Sequence, residues 1–596
     1  MQMLHIHTAR KFQPGYLSQT GVAYLRNNAV EGPPHRRRKS QVPRRTGKSS
    51  EFRAPRILLV TPEISYLPEA MGDVAPCVAA KAGGLADVSA SLISALVALG
   101  ADIHVALPNY RRMFNGNIFH LHEGELRKYH EMLPNSRTHL AQDRIFYYRD
   151  RVYSRHDDEA MRIALVFQRE VINHIIPAVK PDLVHCNDWM TGLIPAMARR
   201  RGIKSLFTIH NIHTRDVPLA RVEEYGIDAA EFWMHLFYNR LPANGYEQAR
   251  SELSVDLLTT GIFSAHCINA VSPRFLREVV DGHHPMVSES ARTEIRNKHA
   301  AGCALGILNA PDPSYDPTTD PALVRTYGAD DFLAGKICNK QALQRRLGLV
   351  MDPAAPVFFW PSRLDPAQKG PELLTDILHR TVSDYHRHGL QIVVVADGPH
   401  QVWLHEIVSN FGLRNRVAVA DFDEKLSRLA YAGADFMLMP SLFEPCGLPQ
   451  MVAPIYGTLA IARDTGGIAD TVHPLDVEAS TGNGFRFVHY DSNGLRWAID
   501  RAMDFFARPL EIRVREIRRI MRESKIEFSH ARVARNYMAC YEAMLACPLV
   551  GPGPPPVKRT EGGAGKFSAP IRPLSDCPEV PVDFETSLSD CVLHGL

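Results

Sequence analysis

The sequence predicts an α/β protein built from two Rossmann-like domains in tandem, each a doubly wound parallel sheet. Three observations carry this. At 596 residues the chain exceeds what one hydrophobic core holds. Short β-branched apolar runs alternate with helical stretches along most of it. The alternation then stops at a break rich in proline and aspartate, "NAPDPSYDP" (Asn309 to Pro317), and starts again.

The elements follow in order. Residues 1–54 hold Arg36, Arg37, Arg38, Lys39, Arg44, Arg45 and Lys48 against Glu31 and Glu51, with no apolar segment of a secretory signal. This basic tail is expected to be disordered; an organellar transit peptide and a nucleic-acid arm are the alternatives. "RILLVTPE" opens the core as a buried strand that ends at Thr-Pro. "AAKAGG" then leads into a helix, "ADVSASLISALVALG", with Leu92, Ala95, Leu96 and Leu99 on one face and Gly100 as its stop. "DIHVALP", "DLVHCND", "SLFTIHN" and "HCINAVSP" are further strands ending in polar or turn residues. After the break come "PVFFWPSRL", "QIVVVADGP", "VAVADFD", "FMLMPS" and "LAIARDTGG". The Pro/Gly-rich stretch from 548 to 596 is expected to be a second disordered tail. The domain expectation is therefore 55–312 and 313–547 between the two tails.

Composition excludes several classes. The apolar fraction of 45% and the charged fraction of 22% are ordinary for a globular protein, and a net charge of +3 names no partner. No apolar run approaches the roughly 20 residues of a membrane span. The ten cysteines are scattered, without a C-x-x-C pair or a zinc-type cluster. That pattern reads as buried or free thiols in a reducing compartment.

Ligands of doubly wound sheets bind at the carboxyl ends of strands, so the residues just after each strand are the candidates. In the first domain these are Lys81, Gly83, Gly84 and Asp87, then Asp188, His210 and Ser272. In the second they are Arg363 and Lys369, Asp397, Glu444, Cys446 and Gly447, then Thr465, Gly466 and Gly467. Three cations and two Gly-Gly turns suit a nucleotide diphosphate, because backbone N–H groups at a glycine turn and a helix N-terminus favour an anion. No Walker A loop occurs, and no G-x-G-x-x-G follows the first strand, which weakens an oxidoreductase reading.

"KAGGLADV" together with "FEPCGLPQM" and "YGTLAIARDTGGIADTV" resembles the starch and glycogen synthase family of bacteria and plastids (glycosyltransferase family 5). "HCNDW", "FTIHN", "NAVSP", "ILNAPD", "SRLDPAQKG", "YAGADFMLMPS" and "FSHARVARNY" extend the resemblance across the core in the family's order. The resemblance implies a GT-B fold: two Rossmann-like domains facing a central cleft, with a C-terminal helix crossing back to the first. It implies a retaining hexosyltransferase that moves glucose from ADP-glucose to the non-reducing end of an α-1,4-glucan.

Residue by residue, the resemblance implies that Lys81 contacts the sugar nucleotide and that Gly83 and Gly84 lie against its diphosphate. Arg363 and Lys369 match the pair that neutralises the leaving phosphates. His210 resembles the histidine beside the transferring glucose, and Glu444 the carboxylate at that sugar. Cys446, Gly447 and Leu448 present backbone N–H groups to the glucose hydroxyls. Asp188 resembles an acidic residue lining the cleft, Phe422 falls where the family usually has an aromatic residue against the base, and the resemblance implies that Asn309, Thr465 and Gly466 join the donor site. No metal and no other cofactor is expected, since two fixed cations carry the charge.

Each role has a plainer structural counterpart. Glu444 could cap the helix after Pro445, Arg363 could form a surface ion pair, and His210 could be a core histidine. Cys446 reads as a small residue in a tight turn rather than a nucleophile. His213 stays unassigned. The chain also departs from the family: Met190 stands where a histidine is usual, Ala310 and Pro311 follow Asn309 in place of "LNG", and His213-Thr214-Arg215 replaces an aromatic-Gln-Gly run. The stretch between Tyr66 and Lys81 is longer than usual. These changes fall on the acceptor side.

The competing readings are a UDP-glucose-dependent or other-acceptor transferase, and a degenerate glucan-binding protein. A transferase of the E-x7-E group is disfavoured by Val452. The expected partners are a nucleotide sugar and an α-glucan, with neither nucleic acid nor membrane, and the oligomeric state stays open. The expected compartment is the bacterial cytoplasm, or a plastid if the basic tail is a transit peptide.

Overall fold

The computed structural model describes residues 53–551, apart from 73, 115–135, 155, 241, 243 and 244. Both expected disordered tails therefore lie outside the described residues, except for a few positions at their inner ends.

Among the described residues the first half carries nine strands: β1 (Arg56–Val60), β2 (Asp102–Pro108), β3 (Thr138–Ala141), β4 (Leu183–Asn187), β5 (Lys204–Thr208), β6 (Asp216–Pro218), β7 (Ser254–Asp256), β8 (Cys267–Asn269) and β9 (Ala304–Leu305). Seven of them form one sheet in the order β3-β2-β1-β4-β5-β8-β9, and β6 with β7 makes a separate antiparallel ribbon. Every pairing in the seven-stranded sheet is parallel. The second half supplies β10 (Val357–Trp360), β11 (Gln391–Val395), β12 (Val417–Ala420), β13 (Phe436–Met439), β14 (Leu459–Arg463) and β15 (Gly484–Phe487). Their order, β12-β11-β10-β13-β14-β15, is again parallel throughout. Strand order reverses between β1 and β4 in one sheet and between β10 and β13 in the other, and these switch points are where doubly wound sheets hold ligands.

Burial explains why these runs are strands. β1 and β10 are apolar on both faces because helices cover both sides of a parallel sheet. The expected helix after the glycine turn is found at Gly84–Ala98, and Gly100 adopts a φ of +87° at its stop. Five strands escape the sequence pattern, β15 among them. β3 reads "THLA", β6 and β7 are three residues each, and β9 is two residues long.

The last helix, His530–Leu545, returns to the first half as expected. Val533, Ala534, Tyr537 and Tyr541 belong to the same apolar core as Ile57, Leu183 and Phe207. Its tyrosines also bond the sheet: Tyr541 Oη lies 2.8 Å from His185 Nδ1, and Asn269 donates to Tyr537 Oη at 2.8 Å. Among the described residues no helix is long and apolar enough to cross a membrane.

Candidate functional site

A cavity of about 560 Å³ opens where the carboxyl ends of the two sheets face each other. Of the residues singled out in sequence, Gly83, Gly84, Asp188, His210, Asn309, Arg363, Lys369, Glu444, Cys446, Gly447 and Leu448 line it.

The loop after β13 carries Glu444, which is buried. Its Oε2 accepts from Lys369 Nζ at 2.5 Å and from Ser441 Oγ at 3.3 Å. The second glycine pair supports this loop from below. A Cβ on Gly466 would sit 2.0 Å from the Glu444 carbonyl oxygen, and one on Gly467 would sit 2.1 Å from that of Cys446. Only residues without a side chain allow the helix Gly466–Thr471 to come so close, and the Gly467 N–H donates to the Glu444 carbonyl at 2.9 Å. Thr465 and Gly466 are not among the residues that line the cavity. The Gly466 N–H donates to Glu278 Oε2 at 3.0 Å, where Thr465 Oγ1 also donates at 3.4 Å. The geometry gives these two residues a supporting place beneath Glu444, not a place in the cavity wall.

Gly447 has a φ of +75°, and a Cβ there would meet Gln450 Oε1 at 2.4 Å. That conformation turns the chain so that Cys446, Gly447 and Leu448 border the cavity. Burial pushes the Cys446 thiol up to about 12, and its Sγ accepts the Asn309 N–H at 3.4 Å. A thiol held protonated in this way is a packing group and not a nucleophile. Asn309 leaves its Oδ1 buried without a hydrogen-bond partner. A buried amide oxygen without a partner is costly, and a ligand hydroxyl would satisfy it.

On the facing wall, Asp188 follows β4 with a φ of +57°, a strained conformation for a residue with a side chain. Its carboxylate accepts the N–H groups of His210 at 2.7 Å and Asn211 at 3.1 Å. Burial nonetheless raises its pKa to about 7, and the nearby Glu63 carboxylate adds to the rise. His210 bonds Asn187 Oδ1 through Nε2 at 3.0 Å, and burial lowers its pKa to about 3, so the ring is neutral. Met190 and His213 also line the cavity.

Glu63, just after β1, is a wall residue that the motifs do not reveal. Its Oε2 accepts the N–H groups of Ala82 at 2.7 Å and Gly83 at 2.9 Å, and Tyr153 Oη donates to Oε1 at 3.1 Å. The first glycine turn thus spends the Gly83 N–H on a carboxylate of its own domain. Gly84 lies close to the other half: a Cβ there would sit 3.2 Å from Leu448 Cδ1.

Two expected donor residues stand apart from this cavity. Lys81 forms an ion pair with Asp87 at 2.8 Å and borders a neighbouring cavity of about 450 Å³ with Tyr66, Tyr315 and Arg428. Phe422 is 56% exposed, and its backbone N–H donates to Asp397 Oδ1 at 2.9 Å. Among the described residues no group of three or more histidine, cysteine or carboxylate side chains forms a metal cage.

Residues 56–291 match the family profile described as the starch synthase catalytic domain, and residues 355–504 match that of glycosyl transferases group 1. The chain is 33% identical over 492 residues to a glycogen synthase of Exiguobacterium sibiricum, covering 77% of this chain and 95% of that one. It is 32% identical over 451 residues to a glycogen synthase of Bacillus subtilis, covering 72% and 88%. Among solved structures, the catalytic domain of starch synthase IV from Arabidopsis thaliana, bound to ADP and acarbose, resembles it with a TM-score of 0.66. The identity there is 26%, over 83% of this chain and all of that one.

Proposed function

The chain belongs to the starch and glycogen synthase family of glucosyltransferases and has its GT-B fold, and from that premise we propose that it transfers glucose from ADP-glucose to an α-1,4-glucan with retention. One observation carries the reading. A single cavity at two sheet switch points holds a cation pair, Arg363 and Lys369, beside the buried Glu444, with Asp188, His210 and Gly84 opposite.

The chemistry assigns the roles. When the bond between glucose C1 and the β-phosphate breaks, negative charge grows on the phosphate and positive charge on the ring. Arg363 and Lys369 favour the first, and Glu444 favours the second. The new bond forms from the acceptor hydroxyl, whose proton passes to the departing phosphate oxygen. Lys369 is already held by Glu444; a charge positioned in this way needs little reorganisation during the reaction, and losing one commonly costs about 2.7–4 kcal/mol in the barrier. The charge needs no metal in this scheme. The orphan Asn309 Oδ1 and the N–H groups of the Cys446–Leu448 turn suit sugar hydroxyls. Lys81, paired with Asp87 at the border of the adjacent cavity, is kept in this reading as a cation for the sugar nucleotide. A starch synthase holding ADP supports an adenine nucleotide for this chain. The glycogen synthases of bacteria among its relatives support a cytoplasmic setting.

The test is glucose transfer onto glycogen from ADP-glucose and UDP-glucose side by side, with Glu444→Gln as control. Gln is preferred to Ala because it keeps a polar partner for the Lys369 ammonium, whose charge would otherwise stay buried and unpaired. Transfer from ADP-glucose, reduced about 100- to 1,000-fold in the variant, is the expected result. Transfer from UDP-glucose alone would overturn the donor, and nucleotide release without chain growth would overturn the acceptor.

A further inference from the structure

A second cavity of about 640 Å³ lies on the outer edge of the second domain, away from the catalytic one. One wall is the helix Ser492–Phe506, which runs back from the carboxyl end of β15. Its inner residues Leu495, Ala498, Ile499, Ala502 and Met503 are buried against the sheet. Trp497, Arg501, Asp504 and, just beyond the helix, Arg508 recur at helical spacing on the opposite stripe, and all four line the cavity. The other wall is the edge strand β15 and the turn that begins at Pro474.

Trp497 is 54% exposed although it is the largest apolar side chain on its helix. An indole left open to water inside a concave surface is a stacking platform, and the apolar faces of sugar rings stack on such platforms. The charges around it cancel. Arg486, Arg501 and Arg508 stand against Asp476, Glu478 and Asp504. Arg501 pairs with Asp504 at 2.7 Å, and Arg508 lies 4.0 Å from Glu478. A balanced set offers donors and acceptors in plenty but no net field to draw an anion or a cation. That chemistry fits a neutral polyhydroxylic chain and disfavours a nucleotide or a sugar phosphate.

We propose that the cavity beneath Trp497 is a non-catalytic docking site for an α-glucan chain. It rests on the glucan acceptor of the preceding section. Position gives the site its use. The catalytic residues follow the carboxyl ends of the strands, whereas Gly484 and Asp504 mark the amino end of the sheet's edge. A chain docked there is separate from the one being extended. On a branched polymer two contacts to one particle raise the effective concentration of acceptor ends without any new contact at the catalytic cavity.

The test uses the full chain, with Trp497→Ala and Trp497→Tyr. Retardation in native gels containing glycogen reads docking without catalysis, and initial rates on glycogen and on maltohexaose read its consequence. Trp497→Ala is expected to weaken retention on glycogen and to raise the KM for glycogen by about tenfold, with kcat and the maltohexaose kinetics unchanged. Trp497→Tyr should restore most of the effect. Retention of Trp497→Ala equal to wild type would overturn the proposal. A protein that transfers no glucose, yet loses gel retention on Trp497→Ala, would keep the docking site while removing the synthase reading.

Discussion

At the scale of single residues, Asp188 makes the sharpest claim. Its pKa is raised from 3.8 in the unfolded chain to about 7 in the fold, with burial as the main cause. A carboxyl whose folded pKa is raised favours the fold while it is protonated. Its contribution is therefore complete below about pH 4, falls as pH rises through 7, and is constant above that. Asp188→Asn keeps the acceptor oxygen for the N–H groups of His210 and Asn211 but cannot ionise. The melting temperature of this variant relative to wild type should climb between pH 4 and 7 and then level off. A difference that stays flat across that range would remove the buried-carboxyl account. Strand ends led from sequence to most of the wall, Asp188 included. They did not lead to Glu63, although it also follows a strand, because it has no motif around it and works through backbone N–H groups nineteen and twenty residues away. Lys81 shows the converse. Its type and place suggest a phosphate, while the nearest partner in the fold is Asp87, an acidic residue in the first turn of the adjoining helix.

At the scale of elements, the two glycine pairs look alike in sequence and differ in the fold. Gly83 is extended, at a φ of −157°, and a Cβ there meets nothing nearer than Glu63 Oε1 at 3.7 Å. Gly467 has backbone atoms of Cys446 within 2.1 to 2.6 Å of the same position. Gly83→Ala should leave the melting temperature near that of wild type. Gly467→Ala must displace the Glu444 loop, and a shift near 1 Å at a reacting group is enough to cost about 100-fold in rate. Circular dichroism melts with kcat for both variants check this, and equal behaviour would contradict the packing role. Strands with long β-branched runs, such as β1 and β11, were legible. β9 was not, because two residues carry no periodicity and it exists only by pairing with β8. β15, "GFRF", is buried only at its ends, Gly484 and Phe487, and was obscured by the glycines around it.

At the scale of the whole molecule, the tie between the chain's two ends is polar as well as apolar. His185 is fully buried, its pKa is lowered to about 3 by burial, and it bonds Tyr541 of the last helix and Thr208 of β5. Tyr541→Phe leaves one buried ring nitrogen without a partner, at a cost of about 1–3 kcal/mol. Urea unfolding followed by tryptophan fluorescence should show an earlier midpoint for the first domain, and an unchanged midpoint would mean that the contact is energetically idle. The crossing helix was legible as a motif but not as an energetic partner, since nothing in sequence links Tyr541 to His185.

That helix also sets an order of events during synthesis. The first domain is translated first, yet part of its core, from Val533 to Leu549, is translated last. A growing chain released from the ribosome as far as Ala310 exposes an apolar groove whose filling lies more than two hundred residues downstream. The wait is on the order of tens of seconds at ribosomal speed. The second domain's cores draw on residues Tyr327 to Met521 and close before then. The domain that is born first is thus completed second, and until its final helix arrives its apolar groove stays open to water.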